Sequence, residues 1–492
     1  THVTDDPATS TVETFMMDAS ATAGRVGFSG DGGWTNRGVL HFVATGSTRR
    51  TQQFDIPFVN ASGARVSQGP EPNSSVNGRF DLVIGDGALL ANRGTWRLGG
   101  DLADGGDANG FTNAGELIAL GQGTGTITDF VEMTHEIAVP FSNIGTVRAT
   151  AFPEERSRVV DITGAVTQRD GATLTGGEWI VEERAHLRMG AGPITVLDGD
   201  ATVRLLGGNF DQVDLTTNRG TFEVTVRDLE IDHAVFNGAD AWLIVADEAK
   251  LDITGDLTND GGNLRVPAER RVFSASTPGL LVGGRFIQTG GSAVITGAAA
   301  FQRYDHDGGE AVITGSLEVA DAYNHRGGLT RIDGDVTGDL RHTGGTILGG
   351  GTLNGVLISE AVTNPGGSAG RFTVGGYQQG PAGTLRVELA SGLPGTDYDQ
   401  LDVLGDAALA GQLEIVLLEG GAGIAPSDRF DILTADGDLL GAFANAPHGA
   451  RVYAPGGLRS FRILYDRSDG AVTLTDFQIP APATLVLLLA GA

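Results

Sequence analysis

Three histidines recur at nearly fixed spacing. His306, His325 and His342 each stand two residues before a Gly-Gly pair, and Gln288 holds the same place one repeat earlier. Imidazole ligates metals and carries protons near neutral pH, so such a set is the first place to look for chemistry. Equal register in stacked repeats, however, puts the side chains in a line about 4.8 Å apart rather than around one point. No carboxylate recurs beside them. The expectation is a polar ladder of Gln288, His306, His325 and His342 on one face, stacked or solvated and not metal-bound.

A second pattern is Asp104-Gly105-Gly106-Asp107-Ala108-Asn109-Gly110, with Glu116 following. Asp107, Asn109, Gly110 and Glu116 match positions 3, 5, 6 and 12 of a calcium loop, a spacing that lets side-chain oxygens converge on the ion. Gly105 at position 1 offers no ligand, which favours an acidic turn; calcium is the one cofactor the pattern admits. General acid–base or glycosidic chemistry needs carboxylates held together on one face. Glu182-Glu183-Arg184, Asp232-His233 and Tyr304-Asp305-His306-Asp307 carry suitable groups, but nothing in their spacing forces convergence. No catalytic residue is assigned and no enzyme activity is expected. No P-loop, nucleophile elbow, zincin helix or dinucleotide fingerprint occurs.

The elements that would position these residues are repeats. In the first half the phrase is Asn, any residue, Gly, then an alternating strand, at Asn36, Asn92, Asn113, Asn143 and Asn218. Asn and Gly tolerate positive φ, so each phrase predicts a tight turn feeding a strand. In the second half the phrase is Gly-Gly, a short apolar strand, then Gly, beginning at Gly290, Gly308, Gly327 and Gly344. A period this short holds two or three strands and no helix, which is one rung of a β-solenoid.

Of 492 residues, 33 are Lys or Arg and 61 Asp or Glu, a net charge of −28 that excludes a duplex nucleic-acid binder. Lys250 is the sole lysine. With no cysteine there are no disulfides, thiol chemistry or Cys-zinc sites. Aromatics are only 6%, which predicts a thin core lined by small and β-branched side chains. The fold class expected is all-β, a right-handed parallel β-helix followed by a C-terminal antiparallel β-cap or small sandwich. The boundaries expected are an N-terminal segment or cap over 1–29, the rod over 30–374, the cap over 375–477 and a tail over 478–492.

The Asn-x-Gly and Gly-Gly rungs, Asn364-Pro365-Gly366-Gly367-Ser368 with Gly375-Gly376-Tyr377, and Tyr398-Asp399-Gln400-Leu401-Asp402-Val403 before Leu409-Ala410-Gly411-Gln412-Leu413 resemble the β-helical passengers of autotransporters and related bacterial surface proteins. The C-terminal Pro480-Ala481-Pro482 and the apolar run from Ala483 resemble the sorting signal of PEP-CTERM proteins. Ala481 stands where Glu is usual and no basic tail follows, so this tail is read as cut short. These resemblances imply an exported, cell-surface or extracellular protein with an adhesive or matrix-structural role. They imply an exosortase-type sorting enzyme as partner, polysaccharide or neighbouring surface proteins as contacts, and only transient membrane contact through the tail. The alternative expectation is a β-helix polysaccharide lyase or glycoside hydrolase.

Overall fold

The computed structural model describes residues 14–18, 27–28, 33–43, 50–68, 80–119, 133–151, 158–190, 192–246, 248–267 and 278–479. Among them there is no α-helix, only strands and one short 3-10 turn. The chain is a parallel β-helix, and it divides into two units: Thr1–Leu229 with Ala241–Ile244, and Glu230–Asp240 with Val245–Ala492.

In the first unit each rung gives one strand to each of three sides. One rung runs through Leu89–Asn92, Thr95–Leu98 and Leu102–Gly105, and the next through Gly110–Asn113, Glu116–Ala119 and Met133–Ile137. Counterparts pair in parallel, Leu90 beside Phe111 and Trp96 beside Leu117. Alternation decides which side chains are inside: Thr95–Leu98 buries Trp96 and Leu98 and turns Thr95 and Arg97 outward. Aromatic side chains run in a row through this interior. Phe58, Trp96, Phe111, Phe141 and Trp179 follow one another with ring centroids 5.2 to 6.2 Å apart, each contact adding about 0.5–1.5 kcal/mol beyond burial.

The glycines of the Asn-x-Gly phrase have a reason the sequence did not disclose. Gly94, Gly115 and Gly145 are absent from the positive-φ residues. A Cβ on Gly115 would instead overlap the Gly94 carbonyl oxygen, and one on Gly145 that of Gly115. Close approach of successive rungs, and not backbone handedness, excludes a side chain there. In the second unit both reasons act at the later glycine of each pair: Gly309, Gly328 and Gly345 have φ of 82°, 78° and 77°, and a Cβ on each would strike the carbonyl one rung below.

Rungs of the second unit alternate a short strand, such as Ser292–Ile295 or Glu310–Ile313, with a long one, such as Ala298–His306 or Ser316–His325. A register shift between Phe301 and Arg303 bends the long strand, so two elements enclose three sides. Parallel stacking continues beyond the boundary expected at 375. Thr384–Leu389 pairs in parallel with Gln412–Leu417, Leu401 with Leu433, and Ala407 with Leu439. Longer turns between these rungs hid the repeat. An antiparallel meander follows in Arg451–Tyr453, Ser460–Asp466 and Ala471–Gln478, the last returning against Phe430–Thr434. This meander covers the edge a terminal rung would otherwise expose.

Asp399, from the phrase Tyr398-Asp399-Gln400, is fully buried and pins a turn to the stack. Its two carboxylate oxygens accept the Gly370 and Glu388 N–H groups, each at 2.9 Å. Burial pushes its pKa up to about 7 against the pull of those donors.

Two outcomes are expected in thermal unfolding. Gly115→Ala should cost about 2–3 kcal/mol through overpacking, whereas Gly63→Ala, at φ 79° with open space around it, should cost about 1 kcal/mol; the reverse order would restore the handedness explanation. Asp399 favours folding fully below its ordinary value of 3.8 and loses that contribution as pH rises through about 7. Asp399→Asn should therefore remove a decline in melting temperature across that interval.

Candidate functional site

The recurring polar residues form a ladder inside the stack. In the first unit the Asn36 amide donates to Asn60 at 2.9 Å, Asn60 to Asn92 at 2.8 Å, Asn92 to Asn113 at 2.8 Å and Asn113 to Asn143 at 2.9 Å. Each amide also serves the corner backbone, Asn92 donating to Glu116 O at 3.0 Å and Asn113 to Thr146 O at 2.9 Å. Asn60, Asn92, Asn113 and Asn143 have no exposed surface. Asn60 was missed in the sequence because four residues, not two, separate it from the strand that follows.

In the second unit one register runs Asn237, Asn259, Gln288, His306, His325, His342, Ser359 and Gln379. The expected Gln288, His306, His325 and His342 ladder is thus present, but inside the corner rather than on a solvated face, all four fully buried. Ring centroids are 4.6 Å apart for His306 and His325 and 5.0 Å for His325 and His342. Thr330 Oγ1 lies 2.9 Å from His306 Nδ1 and 2.8 Å from the Tyr323 hydroxyl, and Tyr304 donates to Gln288 at 2.5 Å. Ser359 Oγ lies 3.1 Å from His342 Nδ1. Burial lowers His306 and His342 to about 4, and His325, with a histidine on either side, lower still. Neutral rings in a row suit packing, not catalysis or convergent metal ligation.

The Asp104–Glu116 segment does not close on an ion. Asp104 Oδ1 accepts from Gly106 N and from Asn109 Nδ2 at 2.8 Å, and Asn109 Nδ2 also donates to Ile84 O at 2.7 Å. Asp107 is exposed on the turn. Glu116 lies on the outer face of the long sheet, 3.4 Å from Arg148 Nε. The three candidate calcium ligands Asp107, Asn109 and Glu116 therefore serve a turn, a backbone contact and an ion pair. Of the other acidic groups singled out in the sequence, Glu182 pairs with Arg148 at 2.7 Å and Asp305 with Arg303 and Arg326, each at 3.0 Å, while Asp232 and His233 gather with Asp214, their ligand atoms within 4.8 Å of one another. Pro480, Ala481 and Pro482 lie outside the described residues.

What sequence reasoning missed is the outer face of the second sheet in the first unit. Parallel register places Glu136 beside Asp161 and Asp161 beside Arg188. Asp211, one rung on, takes Arg188 Nε at 2.7 Å, His186 Nδ1 at 2.9 Å and Asn209 Nδ2 at 2.6 Å. Burial lifts Asp161 above the ordinary carboxylate range, with Glu136 and Asp211 adding to it and Arg188 opposing. Burial acts the same way on Asp211, but hydrogen bonds from Arg188 and His186 outweigh it and hold its carboxyl below that range. Two acids on one face with pKa values driven apart are a chemical resource. His186-x-Arg188 in one strand was the only local signal; the partners come from neighbouring rungs.

Comparison with protein-family models gives no match, and comparison with curated proteins gives none either. Among the described residues no helix is long and apolar enough to cross a membrane.

Histidines lowered below 6.5 stabilise the fold fully above that pH and lose the contribution as pH falls toward about 4. Replacing His306, His325 and His342 with Asn, the residue this register carries at Asn237 and Asn259, should flatten the loss of melting temperature between pH 6.5 and 4. An unchanged acid slope would show that the imidazoles do not control it.

Proposed function

We propose that the protein is an exported cell-surface or extracellular-matrix β-helix with a structural or adhesive role, sorted through its PEP-CTERM-like tail by an exosortase-type enzyme. The observation carrying this reading is the internal ladder. Buried polar side chains are spent on rung-to-rung contacts, Asn to Asn at 2.8–2.9 Å, and the outer faces are left as regular arrays. On the long sheet of the first unit Thr95, Glu116, Thr146, Glu178 and Thr202 line up in one column. Arg204 stands 3.4 Å from Glu178 and 3.5 Å from Glu223. Repetition of weak sites along such a face supports avidity toward polysaccharide or neighbouring surface proteins.

A second reading, a carbohydrate-active β-helix enzyme, is favoured by Asp161 and Asp211. A carboxyl whose pKa burial raises and one whose pKa Arg188 and His186 lower are the kind of pair that the acid and base of glycosidic cleavage require.

Retention of the chain on a polysaccharide array across mildly acidic to mildly basic pH, with no new reducing ends or unsaturated products, is the expected result. Repeatable bond cleavage that falls at least 100-fold in Asp161→Asn would replace the adhesive reading with the enzymatic one.

A further inference from the structure

Three successive turns of the first unit lead out of the long sheet. They are Glu183–Arg184 after Glu178–Glu182, Gly207–Gly208 after Thr202–Leu206, and Val226–Arg227 after Thr221–Thr225. Val181 pairs with Leu205 and Leu205 with Val224, so the turns stack one rung apart. The outer two carry arginines and the middle one carries no side chain. The result is a notch of about 370 Å³ with Arg184, His186, Asn209, Arg227 and Asp228 on its walls and Gly207 and Gly208 as its floor.

The floor is bare for a structural reason. Gly207 has φ of 85°, and a Cβ on Gly208 would overlap the Glu182 carbonyl oxygen. The walls are held in place: Arg227 Nη1 donates to Asn209 Oδ1 at 3.1 Å and to Gly208 O, and Asn209 Nδ2 donates to Asp211 at 2.6 Å. Charges are balanced, Arg184 beside Glu183 at 3.4 Å, Arg227 next to Asp228, and Arg188 on Asp211.

This combination specifies a ligand class. Guanidinium donors, carboxylate acceptors and a carboxamide that does both match vicinal hydroxyls, each of which donates and accepts. A polyanion would need an uncompensated positive floor, which is missing here in a chain of net charge −28. Arg184 and Arg227 are two rungs apart, about 10 Å along the stack, and a pyranose ring in an extended chain advances by about one rung. We propose that the notch binds a neutral polysaccharide lying along the stack, with two sugar rings between Arg184 and Arg227. This deepens the adhesive reading, on which it rests, by assigning a site and a ligand class.

The test is calorimetric titration of the full chain with cellotetraose, maltotetraose, mannotetraose and tetragalacturonate. Binding of at least one neutral tetrasaccharide in the millimolar range is expected, weakened at least tenfold by Arg184→Asn and by Arg227→Gln. Asn tolerates the positive φ of 62° at position 184, and Arg184→Asn should keep the wild-type melting temperature, so its result stands even if Arg227→Gln, which loses a contact to Gly208, fails to fold. Failure of every neutral probe, preference for tetragalacturonate, or affinity unchanged in Arg184→Asn would overturn the notch. Array retention of the same variants at wild-type level would remove the notch while leaving the adhesive reading intact.

Discussion

Everything in this protein depends on rung resting on rung in fixed register. A single rung has too few residues to enclose a core, so its apolar side chains are hidden only by the rungs above and below. Parallel pairing satisfies the backbone, and the corners, where the sheets break, are where polar groups would be stranded. The internal ladder resolves that. Asn92 accepts from Asn60, donates to Asn113 and reaches the Glu116 carbonyl, so one side chain closes a corner and links three rungs. A buried donor or acceptor left alone costs about 1–3 kcal/mol, which makes the ladder a condition of stacking.

The same register admits different side chains if they keep the geometry. Amides fill it in the first unit. In the second, Gln288, three imidazoles, Ser359 and Gln379 follow Asn237 and Asn259. Imidazole offers a flat ring that packs edge-on or tilted against the next at the rung spacing but brings a titratable nitrogen into a dry corner. Asp399 brings the opposite case, a carboxyl whose burial disfavours its charge. The two act against each other between about pH 4 and 7, the histidines favouring the upper end and Asp399 the lower.

Function is left to the outside, where the same periodicity multiplies whatever a rung presents. Arginines of the outer face are held in local pairs, as Arg148 is by Glu116 and Glu182. The second sheet of the first unit differs, because Arg188, His186 and Asn209 converge on Asp211 and leave Asp161 with its neighbour Glu136. Next to that cluster the bare Gly207–Gly208 turn opens a concavity in an otherwise flat surface. Charge balance and shape, more than any single residue, are what this face offers to a ligand.

By itself the sequence determined the solenoid, because a repeat of 17 to 19 residues marked by Gly-Gly leaves no room for a helix between strands. It also put Gln288, His306, His325 and His342 in one ladder, since equal register places such side chains above one another, whereas Asn36, Asn92, Asn113 and Asn143 read only as turn residues until the fold joined their amides. It did not determine which way they face. Alternation leaves inside and outside symmetric until the corner bends, and only the fold turned the histidines inward. The calcium-like spacing failed for a related reason: Asp107 and Glu116 are near in sequence, but a corner separates them and sends Glu116 to Arg148. The Asp161–Arg188–Asp211 cluster and the notch between Arg184 and Arg227 were decided by tertiary structure alone. Their residues come from successive rungs some 19 to 27 positions apart, and parallel stacking brings such residues within one or two rung spacings of each other.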